Sequence, residues 1–538
     1  MSTDSKGASR PLEAATVERI EAILDGVARE AAPGLATAVI LDGAVVHTSC
    51  RGLANLEYDI PITEQTTFHI ASMSKQFTAF AVALLADKGV LDLDADVRAY
   101  LPYFPDLGVP ISARQLVHHT SGLRDQWATL LLSGWRIDDV ITTGDVLSMV
   151  RRVRTLNFAP GTGFSYSNTG YTLLGELVRT VDGRSLREFC GQEIFAPLGM
   201  SSTHFHDDHC ELVPGRAYSY RPVAEGGFQH VVLSYATVGP SSLHTTVGDL
   251  ALWDHNFYDH KVGNEAVFGL IHESGVLADG TATNYAWGLM LGEHRGLERV
   301  EHSGGDAGFR THMARLPAER LSVVALCNAA DRAPSSVTAS IADCVLDQLG
   351  VQPAAQPATA DAQDLQQYAG LFADQHTGES QTIAITEDGA LALMGLPLRS
   401  TGADTFAAGP LNVAFEPTDA PAWVEIEMPA QQRQRLTRIE ALQPTTTDLE
   451  SCVGTYWGEE LETGYRATLG EEGLTLHHAK HGTFALTPLL RDRFQGTMPA
   501  GWMSLSLGVA FDRDDTGVVR QMRLTTSRVT NVALTKTD

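Results

Sequence analysis

A serine and a lysine three residues apart, at the head of an unbroken apolar helix pattern, constrain this chain more than any other feature. The stretch His69-Ile70-Ala71-Ser72-Met73-Ser74-Lys75-Gln76-Phe77 continues through Phe80, Ala81, Leu84 and Leu85 to a glycine stop at Lys88-Gly89. Residues three apart share a helix face, so the Lys75 ammonium reaches the Ser72 hydroxyl. The chain has six lysines, and only Lys75 has a serine three positions before it. An ammonium inside an apolar helix is costly unless it is paired or loses its proton. A neutral amine beside a hydroxyl can help remove the hydroxyl proton, and free N–H groups at a helix start favour negative charge on an attacked carbonyl. Ser72 therefore reads as a nucleophile and Lys75 as its partner.

Composition narrows the function classes. At 538 residues and 43% hydrophobic content, the chain can bury a large core and is long enough for two to four domains. A net charge of −26 and a pI near 5.1 argue against nucleic acid or an anionic membrane as partner, since both call for basic patches. The segment from Met1 to Arg10 is polar, without the apolar run of a signal peptide, so the chain as given is expected in the cytoplasm, as a monomer or homo-oligomer. Cys50, Cys190, Cys210, Cys327, Cys344 and Cys452 are widely spaced and form no Cys-x-x-Cys, which argues against a disulfide framework or zinc ribbon.

Along the chain, Val17, Ile20, Ile23, Leu24 and Val27 predict an opening helix. Leu35 to Ile40 and Ala44 to Thr48 flank Asp42-Gly43, which predicts a hairpin. Helical patterns follow at Ala113 to His118, Thr143 to Val153 and Tyr171 to Thr180. Between the last two lies a glycine- and proline-bounded loop with the chain's one Tyr-x-Asn, Tyr166-Ser167-Asn168. A phenol and a carboxamide on a rigid loop can face one cleft, the first as acid or base, the second as donor to a substrate amide. Further on, Tyr285 to Met290 predicts a strand, and Val300-Glu301-His302-Ser303-Gly304-Gly305 begins another whose glycines would admit a substrate backbone.

Ser72-x-x-Lys75, Tyr166-x-Asn168 and His302-x-Gly304, in this order, resemble the three active-site motifs of the penicillin-recognising serine hydrolases: class C β-lactamases, D-alanyl-D-alanine peptidases, D-aminopeptidases and related esterases. Val117 to Leu123 and Pro197 to Met200 resemble recurrent stretches of the same family. The likeness covers about residues 15 to 350. It implies an α/β (α+β) β-lactamase-like catalytic domain, an antiparallel sheet with helices, over residues 1–350. It also implies an acyl-enzyme on Ser72, with Lys75 or Tyr166 as base and His302 tuning Tyr166 or holding substrate. Asn168 and Gly304 would meet substrate, and the N–H groups of Ser72 and Gly305 would form an oxyanion hole. No metal or organic cofactor is expected. His302-Ser303-Gly304 stands where β-lactamases usually carry Lys-Thr-Gly, and is similar to the D-aminopeptidase branch; an imidazole holds a β-lactam carboxylate less well than a lysine.

Thr203-His204-Phe205-His206-Asp207-Asp208-His209-Cys210 carries metal-ligand residue types, but in the resembling family this is a surface strand and loop away from the serine. From Val351 the chain becomes a Gln-, Pro- and Ala-rich linker. Tyr368-Ala369-Gly370-Leu371-Phe372 and Cys452-Val453-Gly454-Thr455-Tyr456 then open two similar β-rich segments, and Val413-Ala414-Phe415-Glu416 recurs as Val509-Ala510-Phe511-Asp512. They predict two small antiparallel β-barrel domains, 366–443 and 449–538. The layout resembles the D-aminopeptidases, in which a loop from the last barrel enters the active site. That loop is expected here at His477-His478-Ala479-Lys480-His481-Gly482, whose basic character suits an anionic peptide. The same motif set resembles the linearised-microcystin peptidases, which cut after a D-alanine. The resemblance thus implies a peptidase for D-Ala-X peptides, with linearised microcystin the specific expectation and a D-aminopeptidase, carboxylesterase or weak β-lactamase as alternatives.

Overall fold

The chain enters through α1 (Ala14–Val27) and turns through a hairpin of β1 (Leu35–Leu41) and β2 (Ala44–Arg51). Asp42 and Gly43 hold φ of 56° and 80°, the left-handed conformation a two-residue hairpin turn requires. A short strand, β3 (Phe68–His69), leads through a 3₁₀ turn at Ala71–Ser74 into α2 (Lys75–Asp87). Then come α3 (Gln126–Leu132), α4 (Asn168–Asp182) and the short strands β4 (His204–Phe205) and β5 (Leu243–Thr245). Four longer strands, β6 (Met290–His294), β7 (Leu297–Asp306), β8 (Phe309–Leu316) and β9 (Leu321–Cys327), precede α5 (Pro334–Gln348). This computed structural model describes residues 10–352, 365–408, 411–418, 420–427 and 433–538. Most of the expected linker lies outside the described residues.

An antiparallel sheet in the order β6-β7-β8-β9-β1-β2 forms the centre. β1 and β9 are buried at every residue because both faces are covered, so they read as continuous apolar runs and not as alternating ones. Leu35, Val39 and Leu41 face α1 and α5, with Ile20, Ile341 and Val345. Ala36, Ala38 and Ile40 face a larger core built around α2. All eleven residues from Lys75 to Leu85 are buried. Phe77 and Phe80 pack on Trp253 at ring separations of 4.5 and 5.0 Å, and the Trp253 indole donates to Gln76 Oε1 at 2.6 Å. Each such ring contributes about 1.5–3 kcal/mol of burial, which fixes the start of α2 in the core.

Tyr285 to Leu289 forms a tight turn, and the strand expected there begins at Met290. Gly288 has φ of 73°, and a Cβ on it would lie 2.5 Å from Gln76 N. Close approach to α2, not strand pairing, dictates that glycine.

Beyond α5 stand two all-antiparallel sheets. One has nine strands between Gly370 and Ile439, and its two edges are strands Leu396–Pro397 and Arg399–Ser400, separated by one residue, so it nearly closes on itself. The other is a closed eight-stranded barrel, Gly454–Gly458 to Val529–Lys536. A capped helix, Thr446–Cys452, joins them. Among the described residues no helix is long and apolar enough to cross a membrane.

In an antiparallel barrel alternate hairpin turns lie at the same rim, and one rim of this barrel rests on α3 and the loops beside it. Glu460 pairs with Arg124 at 2.6 Å, both nearly buried. His481 Nε2 bonds Leu131 O at 2.7 Å, Tyr465 donates to Leu132 O at 2.8 Å, and Asn157 exchanges hydrogen bonds with Arg528 O and Thr530 N. Ala128, Leu131 and Leu132 belong to the barrel's own hydrophobic core.

Candidate active site

Ser72 projects from a turn clamped on both sides. Ala71 carries φ of 51°, a conformation that costs a residue with a Cβ about 1–2 kcal/mol and that tight packing sustains. Ile70 N donates to Leu243 O at 2.9 Å, Leu243 N to Ser74 Oγ at 3.0 Å, and Thr311 Oγ1 to Ile70 O at 2.9 Å. Gly304 is part of this clamp: a Cβ there would sit 2.2 Å from Ile70 O. Gly304 is accordingly buried against the Ala71–Ser74 turn and does not line the cleft, whereas Gly305 does.

Lys75 is fully buried. Its Nζ lies 3.2 Å from Ser72 Oγ, 2.8 Å from Asn168 Oδ1 and 2.8 Å from Pro240 O. Burial is the main force pushing its pKa well below the usual lysine value; the positive charge of Arg528 adds to this, and Asp125 and Asp306 oppose it. The two carbonyl oxygens can only accept, so a neutral amine gives its two N–H groups to them and turns its lone pair toward Ser72. That is the arrangement a base for the serine proton needs.

Asn168 is the first residue of α4, not a loop residue. Its amide Nδ2 donates to Asp125 Oδ2 at 2.7 Å, which leaves Oδ1 facing Lys75. The carboxamide expected to meet a substrate amide is spent on holding Lys75. Asp125 caps α3 through Oδ1, accepting from Trp127 N and Ala128 N, while Oδ2 also accepts Asn168 N at 2.9 Å. Sequence reasoning missed Asp125. The signal available was an aspartate directly before a helix pattern, a position that caps helices.

Tyr166 lies over the lysine, with Nζ 4.6 Å from the ring centre. Burial pushes its phenol pKa up, and Ser72, Arg528 and Tyr285 work against that rise. His302 does not reach Tyr166 directly; their ring centres are 6.3 Å apart. Its Nδ1 lies 2.6 Å from Ser303 O, an acceptor, so Nδ1 carries the proton and Nε2 accepts from Tyr285 at 3.1 Å. Burial, aided by Lys75, pushes His302 down to about 3, so it is neutral. Tyr285, also missed as a site residue, thus links the third motif to the second.

The surrounding cleft has a volume of about 590 Å³ and is walled by Ser72, Tyr166, Asn168, His302, Gly305 and Asp306. Its outer wall comes from the barrel, but not from the expected loop. Residues 477–482 contact α3, with Lys480 over the Trp135 ring and His481 on Leu131 O, and none of them lines the cleft. The turns one and two hairpins later supply Trp502, Met503, Leu505, Ser527 and Arg528 instead. Asp306 accepts from Ser241 Oγ at 2.8 Å and Ala307 N at 3.1 Å, and burial raises its pKa to about 7.

The 203–210 stretch is not remote from the serine. β4 pairs with β5, which pairs with β3 just ahead of Ser72, so His204 stacks on His244 and His244 meets His69 edge-on. Among the described residues, the ligand atoms of Asp208, His209 and Cys210 converge within 4.8 Å, on the exposed surface.

Residues 19–343 match the family described as Beta-lactamase. The chain belongs to this family. A D-aminopeptidase of Gluconobacter oxydans is 30% identical over 451 residues, 82% of this chain and 83% of that protein. A D-aminopeptidase of Brucella anthropi is 32% identical over 302 residues, so the match spans 56% of its length and 55% of this chain. Among solved structures, the octameric penicillin-binding protein homologue of Pyrococcus abyssi has a TM-score of 0.55 at 19% identity, covering 97% of this chain and 100% of that one. The D-amino acid amidase of Ochrobactrum anthropi SV3, complexed with D-phenylalanine, gives 0.53 at 21% identity, over 62% of this chain and 100% of that one. At these identities the structural likeness concerns the fold. The family relationship makes the chain an enzyme of the β-lactamase and D-aminopeptidase group of serine hydrolases.

Proposed function

We propose that the enzyme hydrolyses amide bonds that follow a D-residue, through a Ser72 ester. The observation that carries this reading is the hydrogen-bonding of the fully buried Lys75 Nζ to two carbonyl acceptors and to the hydroxyl of Ser72, which faces the cleft. Lys75 takes the serine proton as Ser72 Oγ attacks the carbonyl carbon, and the proton passes by way of the Tyr166 hydroxyl to the leaving amine. A water, deprotonated by the same pair, then releases the acid. The opposite shifts of Lys75, downward, and Tyr166, upward, favour the lysine as the resting base; the pair titrates as a unit. Backbone N–H groups of Ser72 and Gly305 are the proposed oxyanion hole. Asn168 and Asp125 position Lys75, and His302 positions Tyr285 against the Tyr166 ring.

In this reading residues 1–350 are the catalytic domain, and 366–443 and 449–538 are two barrels of which the second closes the cleft. The D-aminopeptidase relatives support D-residue amides as the substrate class. Linearised microcystin, a peptide of that class, remains the specific expectation from motif resemblance. A panel of D-alanyl amides with free and blocked amines, their L-counterparts, a short-chain ester, linearised microcystin and a cephalosporin tests the assignment by kcat/KM. D-alanyl amides, linearised microcystin among them, should lead the L-counterparts, the ester and the cephalosporin by at least tenfold. Turnover of the ester alone would remove the peptidase reading.

A further inference from the structure

In a chain with 26 more negative than positive side chains, two guanidinium groups of the cleft, Arg310 and Arg528, have no ion-pair partner among the described residues. Arg528 sits at the tip of the two-residue turn between strands Val519–Thr526 and Val529–Lys536. Its guanidinium carbon lies 4.9 Å from the Tyr166 ring centre, and among the described residues nothing forms an ion pair or a side-chain hydrogen bond with it. The residue is half-buried.

The turn does not need this side chain to stay in place. Backbone groups anchor it: Arg528 O accepts from Asp125 N at 3.3 Å and Asn157 Nδ2 at 3.0 Å, and Thr530 O accepts from Arg124. Nor can the cleft's own carboxylates satisfy it. Both Asp125 oxygens are occupied by N–H donors. Asp306 holds its proton up to about pH 7 and is engaged by Ser241 and Ala307. The second cleft guanidinium, Arg310, gives Nη1 to the carbonyls of Ala307 and Phe309 at 3.2 and 2.7 Å. Among the described residues Arg528 keeps every N–H donor of its planar fork unspent, stacked on the Tyr166 ring, a geometry that matches a carboxylate in bidentate fashion.

We propose that Arg528 anchors a carboxylate of the substrate, so that the enzyme selects D-residue peptides bearing an acidic group next to the scissile amide. This rests on the amide-hydrolase reading of the same cleft. It replaces the basic loop at 477–482 with a single residue from a neighbouring turn, and it makes the C-terminal barrel the source of selectivity.

Two isosteric pairs test it: D-alanyl-4-aminobenzoate against D-alanyl-4-aminobenzamide, for an acid on the leaving side, and D-glutamyl-anilide against D-glutaminyl-anilide, for an acid on the acyl side. In at least one pair the acid:amide ratio of kcat/KM should exceed about 10, fall about 10- to 100-fold in Arg528→Gln, and drop below 1 in Arg528→Glu, as the loss of a charge-assisted pair requires. Ratios within twofold of each other across wild type and both variants would overturn the inference. So would an Arg528→Gln variant that only moves the pH profile, because that outcome assigns Arg528 to tuning Lys75. Calorimetric binding of N-acetyl-D-glutamate to wild type and Arg528→Gln keeps the two readings apart. Binding that is lost in the variant, with no amide turned over by wild type, sinks the hydrolase reading alone. Amide turnover with no Arg528-dependent binding or preference sinks the carboxylate anchor alone.

Discussion

Replacing Asp125 with asparagine changes one oxygen to an amide and tests how Lys75 is held. The carboxylate is 2% exposed and receives four N–H donors: Trp127 and Ala128 at 3.0 and 3.3 Å on Oδ1, and Asn168 N and Nδ2 at 2.9 and 2.7 Å on Oδ2. Asparagine caps helices as well as aspartate does, so its oxygen stays on the start of α3 and its NH₂ turns toward Asn168. Two buried donors then lose their acceptor, at about 1–3 kcal/mol each. The Asn168 carboxamide can recover one of them by flipping, but the flip presents Nδ2 to Lys75 Nζ, donor against donor. Asp125→Asn should therefore lower unfolding stability by about 2–4 kcal/mol and cut the rate of Ser72 acylation by about 100-fold, since a base displaced from its nucleophile loses most general-base catalysis. Urea unfolding and the rate of fluorophosphonate labelling measure the two effects. A variant within about 0.5 kcal/mol of wild-type stability, the range of a neutral surface change, that also labels at a near wild-type rate would refute this account of the lysine.

Two further outcomes follow from the same geometry. Gly304→Ala places a Cβ 2.2 Å from Ile70 O and 2.4 Å from Thr311 Oγ1, so β7 must move off the Ala71–Ser74 turn; the cost is about 1–3 kcal/mol, seen in thermal unfolding, with slower Ser72 labelling, and a fully active variant would show that the contact is slack. Asp306 keeps its proton up to about pH 7 against a usual 3.8, so the folded state binds a proton that the unfolded state releases between those values. Stability falls as pH rises through that window, by at most about 4 kcal/mol. Asp306→Asn removes this dependence and should gain on wild type between pH 4 and 8 in urea unfolding; parallel pH profiles for the two proteins would contradict the assignment.

Much of the fold and site is local, and that part was legible. The hairpin at Asp42-Gly43 needs only turn chemistry, and Ser72 and Lys75 meet because they lie one helical turn apart. The two barrel-like sheets announced themselves through repeated openings at Tyr368 and Cys452. What escaped was set by contacts between distant segments. Gly288 broke the expected strand because the turn presses on Gln76, two hundred residues away in sequence. The basic stretch at 477–482 was a sound choice of barrel rim, yet composition does not say which turn of that rim overhangs the serine; contacts of Glu460 and Asn157 with the two parts decide that. Asp125 and Tyr285 sit in stretches with no motif, and their roles appear only once Asn168 and His302 are seen to lean on them.

We propose that Ser72, and no other side chain, carries the acyl group. Wild type, Ser72→Ala and Lys75→Met are treated with a fluorophosphonate and, separately, with a D-alanyl ester quenched in acid within one turnover, and the proteolytic peptides are weighed. The expected result is an adduct confined to the peptide containing Ser72 in wild type, none in Ser72→Ala, formation slowed by about 1,000-fold or more in Lys75→Met, and turnover lost on the same order in Ser72→Ala. An adduct on a different residue, or undiminished amide turnover by Ser72→Ala, would contradict it.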